Sequence, residues 1–366
     1  MKLRPHQKKI LNEILEQIAI GSSKGRILLS PRFGKTILAF QLIKKLNVKK
    51  VLWVTPSAEL AEIGISSEAD KLGYNSIMPY IVTSTYASLN KVKGIFDLII
   101  LDEEQNITEN NLATLLNGQL KSLYLFSMTG TPTKDIDKNI LLNRLGVSVI
   151  LCNMTVKEAV DEQILKSYNL NIVNCVLSED PYKSKKGFIT NDVNTLAYWN
   201  KQINECPISN YNPTAMQRRN FLLLKRRAFI STSRSKLKVL NNLLNEVVLS
   251  QQKRTLVFLP TIELADKFTY KYHSKTDKTD LDKFNNKECS LLALVNSGGT
   301  GFTFTDVDAI IIVQIDSNKN GGTTQKLCRA LTKTKKDTKK AELYILKLLN
   351  SQDEKWVEQA QKIFEQ

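Results

Sequence analysis

Between residues 27 and 130, short β-rich runs (27–30, 51–55, 80–83, 98–102 and 122–128) alternate with helix-like segments. Parallel strands need long crossover connections, and the helices that make them cover both sheet faces, so the alternation predicts a parallel α/β sheet. A polar cluster follows each run, at 30–36, 55–57, 83–85, 102–105 and 129–131. Ligands of such sheets lie at the carboxyl ends of the strands. One sheet edge is therefore expected to carry a site. A second alternating series, at 255–259, 291–295, 309–314 and 342–348, follows a less regular stretch at 178–215 that holds Pro181, Lys183, Lys185, Lys186, Pro207 and Pro213. The expected organisation is two α/β lobes with a cleft between them. Residues 1–150 form the first, 151–240 a linker and inserted basic segment, and 241–366 the core of the second.

Charge narrows the partners. The net charge of +16 favours a polyanion, nucleic acid first, because bound lysines and arginines release its counterions. No apolar stretch reaches the ~18–20 residues of a membrane span, and the start MKLRPHQKK has no apolar signal core. Five scattered cysteines and only His6 and His273 suggest neither a zinc site nor a disulfide framework. A reducing, cytoplasmic setting is expected, that of a bacterium or a phage-infected host.

The stretch ILLSPRFGKT (27–36) joins an apolar run to Gly-Lys-Thr and a new apolar stretch. A phosphate-binding loop would use backbone N–H groups of Arg32, Phe33, Gly34, Lys35 and Thr36 to cradle phosphates, with Lys35 on the β- and γ-phosphates and Thr36 on Mg²⁺. The full pattern has a glycine five positions before Gly34, where Leu29 stands. A strand joined to a helix by a basic turn is the plainer alternative. About seventy residues on, FDLIILDEEQ (96–105) ends an apolar strand in Asp102-Glu103. In a nucleotide hydrolase the first carboxylate holds Mg²⁺ and the second activates water.

In their order, the motifs make the chain resemble a superfamily 2 helicase, the group of the DEAD-box and DEAH-box proteins, and within it the small phage-type members. LRPHQKKIL (3–11) is similar to the segment before the phosphate loop, where Arg4 and Gln7 would serve the nucleotide, Gln7 at the adenine edge. SPRFGKT, TPSAEL, VTSTYASL, DEEQ and SMTGTPTK resemble motifs I to III; TLVFLPTIELA (255–265), GGTGFTFTDVD (298–308) and QKLCRALT (325–332) resemble motifs IV to VI. The resemblance implies two recombinase-like P-loop lobes closing on ATP and Mg²⁺. Gln325 and Arg329 would be catalytic together with Lys35, Asp102 and Glu103. Strand contacts would come from Thr55, Pro56, Thr83, Ser84, Thr85, Thr261 and Thr303. It implies 3′-to-5′ movement on nucleic acid, single-stranded or branched DNA in first place. A monomer is compatible with it.

Motif VI departs from the family's Gln-x-x-Gly-Arg-x-x-Arg: Cys328 replaces the glycine and Thr332 the last arginine. Hydrolysis is then expected to be slow or to depend on lobe closure. Two rivals stay open: a nucleic-acid-binding or annealing module with a vestigial ATPase, and another P-loop enzyme such as a kinase. From Cys206 to Asn245 there is no acidic residue, while Arg218, Arg219, Lys225, Arg226, Arg227, Arg234, Lys236 and Lys238 accumulate. Residues 216–230 read as a helix with Phe221, Leu222, Leu224, Ala228 and Phe229 towards a core. Arg218, Arg219, Arg226 and Arg227 would form either a phosphate-contacting wall or a solvated face.

Overall fold

The computed structural model describes residues 3–132, 135–184, 187–206, 213–295, 304, 306–316, 322–333 and 339–365. Thr303, Lys185, Lys186 and Pro207 lie outside them. In chain order the strands are β1 Lys24–Leu29, β2 Val51–Thr55, β3 Ile81–Thr85, β4 Gly94–Asp102, β5 Leu120–Thr129, β6 Ile150–Met154 and β7 Tyr168–Cys175. There follow β8 Tyr182–Lys183, β9 Ile189–Thr190, β10 Thr255–Leu259, β11 Lys271–Tyr272, β12 Leu291–Val295, β13 Ala309–Ile312 and β14 Ala341–Leu348.

They form two six-stranded sheets, in the orders β3-β2-β4-β5-β1-β6 and β11-β12-β10-β13-β14-β7. Every pairing in both is parallel. The chain is thus the expected pair of α/β lobes. The first sheet takes its outer strand β6 from residues 150–154, and the second takes its outer strand β7 from residues 168–175.

Central strands are buried along their whole length, as in β2, β10 and β13. That burial is why they read as unbroken apolar runs, both faces being covered by helices. Helix Pro5–Ala19 buries Ile10, Leu11 and Ile14, and helix Lys35–Lys45 buries six successive or near-successive apolar residues from Ile37 to Ile43. Phe40 of the latter meets Trp53 of β2 edge-on, with ring centroids 5.5 Å apart, and stacks on Tyr74 at 5.2 Å. One apolar cluster includes residues of both lobes, from Phe33 and Met154 to Phe258, Cys328 and Leu331.

Between β7 and β10 lies the insertion. It holds the antiparallel pair β8–β9, helix Asp192–Asn204 and helix Pro213–Thr232. The basic segment is helical as expected, but its faces differ in part from the expectation. Leu222 and Ile230 are buried, whereas Phe221, Leu224 and Ala228 are exposed. As expected, Leu222 and Phe229 face apolar surroundings: Leu222, with Leu223, packs on Ile203, Cys206 and Trp199, while Phe229 and Ile230 join the core of the second sheet.

Candidate functional site

The phosphate-loop candidate starts where β1 ends. Leu29, at the position of the absent glycine, is still part of β1 and is buried in the core. The chain turns at Pro31-Arg32, with Phe33 N–H donating to Ser30 O at 3.2 Å and Arg32 at φ +72°. Proline second and a positive φ third define a type II turn, in which Arg32 holds a conformation usually left to glycine. Gly34, at φ +101°, opens helix Lys35–Lys45, and a Cβ there would lie 2.6 Å from Gln7 Nε2. Gln7 itself is buried; it donates to Phe33 O at 3.2 Å and accepts from Arg4 N–H at 3.1 Å. It thus ties the first helix to the loop. Thr36 lies half-buried in the first turn of that helix, and Arg4 is exposed.

At the end of β4, Asp102 and Glu103 face this loop. Glu103 has a left-handed backbone, φ +53°, held by its N–H donating to Met128 O at 2.8 Å. Its carboxylate is ringed by donors: Gln105 Nε2 at 2.8 Å and Gln325 Nε2 at 3.0 Å on Oε2, and Lys35 Nζ at 3.5 Å from Oε1. The Thr129 hydroxyl, at the end of β5, is 2.8 Å from Gln105 Oε1 and 3.3 Å from Glu103 Oε2. Beneath them Glu104 is fully buried and paired with Arg26 of β1 and with the Ser127 hydroxyl. That pairing ties β1, β4 and β5 together below the site. Gly130 closes the floor, since a Cβ there would meet Lys35 Nζ and the Pro31 ring at 2.9 Å.

The second lobe completes the cleft. Helix Gly322–Leu327 carries Gln325, which reaches Glu103 and lies 3.5 Å from Thr131 Oγ1. The following turn, Cys328–Leu331, buries Arg329 with its guanidinium 5.7 Å from the Phe304 ring centroid. Lys278 and Glu59, 3.1 Å apart, add an exposed pair between the lobes.

The electrostatics favour one anion and one cation here. Burial pushes Arg32 down to about 10; burial, then the charge of Arg32, pushes Arg329 well below the usual guanidinium range. An anion between them would relieve both. Burial and the neighbouring Glu103 push Asp102 up to about 7, with Lys35 acting the other way. A divalent cation would reverse that shift. Ser30 Oγ, at the mouth of the loop, is buried with no hydrogen-bond partner among the described residues. Burial raises the Cys328 thiol to about 12, against Arg32 and Lys35, so it is a neutral packing group.

The strand-contact candidates are placed at strand ends, and several use their hydroxyls locally. Buried Thr55 donates to Ser57 O at 2.9 Å; Ser84 lies 3.1 Å from the Ser88 hydroxyl; Thr85 accepts from Ser88 N–H and Thr261 from Leu264 N–H, each capping a short helix. Pro56 and Thr83 are half-buried beside them. Thr261 also lines a cavity of about 300 Å³ with His273, Ser274 and Glu263. Of the four arginines, Arg218 is exposed. Arg219 donates to the carbonyls of Ile203 and Cys206 at the end of helix Asp192–Asn204, Arg226 to Asn200 and Gln352, and Arg227 to Asp316. Gln105, Thr129 and the Arg26–Glu104 pair were not singled out from sequence. Their signal was their place at or beside strand ends in one parallel sheet.

Two parallel lobes meeting over a strand–Gly-Lys-Thr–helix loop and an Asp-Glu strand end define a two-lobed P-loop protein. Residues 1–67 match the family described as type III restriction enzyme, res subunit, and residues 235–332 match the helicase conserved C-terminal domain. These matches bear respectively the phosphate loop and Gln325–Arg329. The helicase domain of Pyrococcus furiosus Hef is similar over 98% of this chain and 98% of its own, with TM-score 0.56 and 14% identity. The type ISP restriction-modification enzyme LlaBIII, in a structure bound to DNA, is similar over 100% of this chain and 30% of its own, with TM-score 0.63 and 15% identity. At these identities the likeness is one of fold. No curated protein matches in sequence. Fold, family matches and motif order agree with the resemblance to superfamily 2 helicases and support a nucleic-acid helicase or translocase in general.

Proposed function

We propose that the chain hydrolyses ATP with Mg²⁺ in this cleft and uses lobe closure and opening to move along nucleic acid. One observation carries the reading: Gln325, from the second lobe, donates to the Glu103 carboxylate of the first, beside Lys35. Hydrolytic geometry then exists only when the lobes are together. Lys35 and the loop N–H groups of residues 32–36 bind the phosphates, Arg32 and Arg329 offset the negative charge from opposite sides, and Gly130 leaves room for Lys35. Glu103 orients water and takes its proton; Gln105, Thr129 and Gln325 fix its carboxylate for that task. Thr36 and Asp102 would hold Mg²⁺, which supplies charge neutralisation on the phosphate oxygens when bound. Few protein ligands suffice, because Mg²⁺ keeps water and substrate oxygens in its shell. Gln7 and Arg4 flank the loop on the side proposed for the base.

ATP turnover with and without single-stranded DNA tests the reading. Lys35→Ala is expected to lose ATP binding, and Glu103→Gln to bind ATP·Mg²⁺ yet turn over about 10²–10⁴ more slowly. Wild-type turnover by either folded variant would remove the assignment.

For the nucleic acid we propose a channel along the strand ends that hold Thr55, Pro56, Thr83, Ser84, Thr85 and Thr261; Thr303, expected to join them, lies outside the described residues. Exposed Arg218 and Lys225 of the inserted helix extend it, with Lys225 5.1 Å from the exposed Phe221 ring. Arg219, Arg226 and Arg227 have internal bonds and contribute field more than contact. Replacing Arg218 and Lys225 with Gln should flatten the slope of log affinity against log salt by about 1.4 for a single strand.

A second reading, a nucleic-acid-binding module with weak hydrolysis, is favoured by Thr332. It bridges to Leu165, and its hydroxyl is buried without a partner among the described residues. The charge of a second arginine is absent there.

A further inference from the structure

The inserted helix Pro213–Thr232 and the cleft helix Gly322–Leu327 meet on a single carboxylate. Asp316 follows β13. Its Oδ1 lies 2.5 Å from Arg227 Nη2 and its Oδ2 2.7 Å from Lys326 Nζ. Its N–H donates to Thr323 Oγ1 at 2.9 Å, and a Cβ on Gly322 would come within 3.0 Å of Oδ2. The carboxylate is therefore pressed against the first turn of the cleft helix. Lys326 is 6% exposed, with its ammonium 5.6 Å from the Phe258 ring centroid. A buried ammonium without its carboxylate is strongly disfavoured, so Asp316 fixes where Lys326 sits. Lys326 adjoins Gln325, the residue that reaches Glu103, and Arg329 lies three residues beyond it.

Arg227 approaches from the opposite side. Its guanidinium is 5.4 Å from the Trp356 ring centroid, and the neighbouring Arg226 donates to Gln352 at 2.7 Å. The contacts thus run from the inserted helix through Arg227, Asp316, Lys326 and Gln325 to Glu103. Two cations share one carboxylate, and without Asp316 they would repel each other. The pose of one constrains the pose of the other.

We propose that Asp316 and Arg227 are positioning residues through which the inserted segment sets how Gln325 and Arg329 are presented across the cleft. Neither is in the set that holds the nucleotide. The inference rests on the reading of this cleft as a site of ATP hydrolysis. It gives the insertion a defined role, in which displacement of its helix is transmitted to the hydrolytic geometry.

The test compares wild type with Arg227→Met, Arg227→Lys and Asp316→Asn. Steady-state ATP hydrolysis, thermal unfolding and hydrogen–deuterium exchange over residues 322–331 are measured on the full chain. Arg227→Met keeps an apolar stem against Trp356; its kcat should fall about fivefold to tenfold while KM for ATP stays within about twofold. Exchange over 322–331 should rise, and Arg227→Lys should restore both readings. Asp316→Asn, which leaves both cations without their carboxylate, should lose at least as much kcat. A lower unfolding temperature with unchanged kcat per folded molecule would make the cluster merely structural and overturn the proposal, as would failure of Lys to restore kcat. If wild type does not hydrolyse ATP, the reading of the cleft fails by itself. Exchange then decides the positioning role: unchanged protection over 322–331 in Arg227→Met overturns it, and lost protection supports it.

Discussion

The two halves of the cleft are built on different principles. On the first lobe, Lys35, Asp102 and Glu103 sit at the ends of adjoining elements, held by backbone bonds, by hydroxyl and amide groups, and by the buried Arg26–Glu104 pair. On the second, Gln325 and Arg329 ride on a short helix and turn, steadied by charges that converge on Asp316. Many hydrogen bonds and a buried ion pair at strand ends make a closely tied half. A charge cluster at the junction with an insertion makes an adjustable one. In the proposed closing mechanism, the fixed half would bind and the adjustable half would decide when chemistry proceeds.

The comparison breaks most sharply at Arg329. If the second lobe supplies the stabilising charge, Arg329→Ala should lower single-turnover hydrolysis about 10³-fold, the lower end for such an arginine, and leave ATP binding and the unfolding temperature close to wild type. Full nucleic-acid-stimulated turnover in that variant would leave the first lobe to act alone.

A smaller effect probes the closely tied half. Asp102, raised to about 7, is largely protonated below that pH in the ligand-free protein and must lose its proton to hold a cation. The acid limb of kcat/KM should fall about tenfold per pH unit below 7 and move to lower pH as Mg²⁺ is raised. For stability the sign is opposite: through this group the ligand-free fold loses stability as pH rises from about 4 to 7, because its folded pKa is the higher one. A magnesium-independent acid limb would detach Asp102 from the cation.

The smallest expected change sharpens the contrast. Thr332→Arg should raise turnover about twofold to tenfold if the cleft has room for the second guanidinium. Its present bridge to Leu165 sets the cost. No gain, measured as kcat at saturating ATP, would mean that Arg329 already supplies what the site can use.

What the sequence disclosed follows the same division. The interior strands β2, β4, β5, β10, β12 and β13 were legible because both faces of their central stretches are covered and those stretches are runs of mostly apolar side chains. Of the outer strands, β6, β7 and β11 were missed, and the reason is visible in them. β7 is half-buried for most of its length, β6 alternates unevenly and β11 has two residues. The placement of Lys35, Asp102 and Glu103 in the first lobe was legible from local pattern, since each lies just after or at the end of a strand. Partners of the inserted arginines were not. Arg227 meets Asp316, Arg226 meets Gln352, and Arg219 caps a neighbouring helix, so the charge that balances an acid-free stretch comes from distant chain and from carbonyl dipoles. The same absence of a local clue explains Phe221 and Leu224, whose exposure is set by packing on helix Asp192–Asn204.

The outermost strand of the second sheet has a consequence for synthesis on the ribosome. β7 leaves the exit tunnel well before β14, its one sheet neighbour among the described residues, which pairs with it from Tyr168↔Ala341 to Cys175↔Leu348. At ribosomal speeds of about 5–20 residues per second, the nascent chain carries that strand for roughly 10–35 s before its mate exists. Its mixed, half-polar character, which hid it from pattern reading, is what keeps a waiting strand from pairing with the wrong chain.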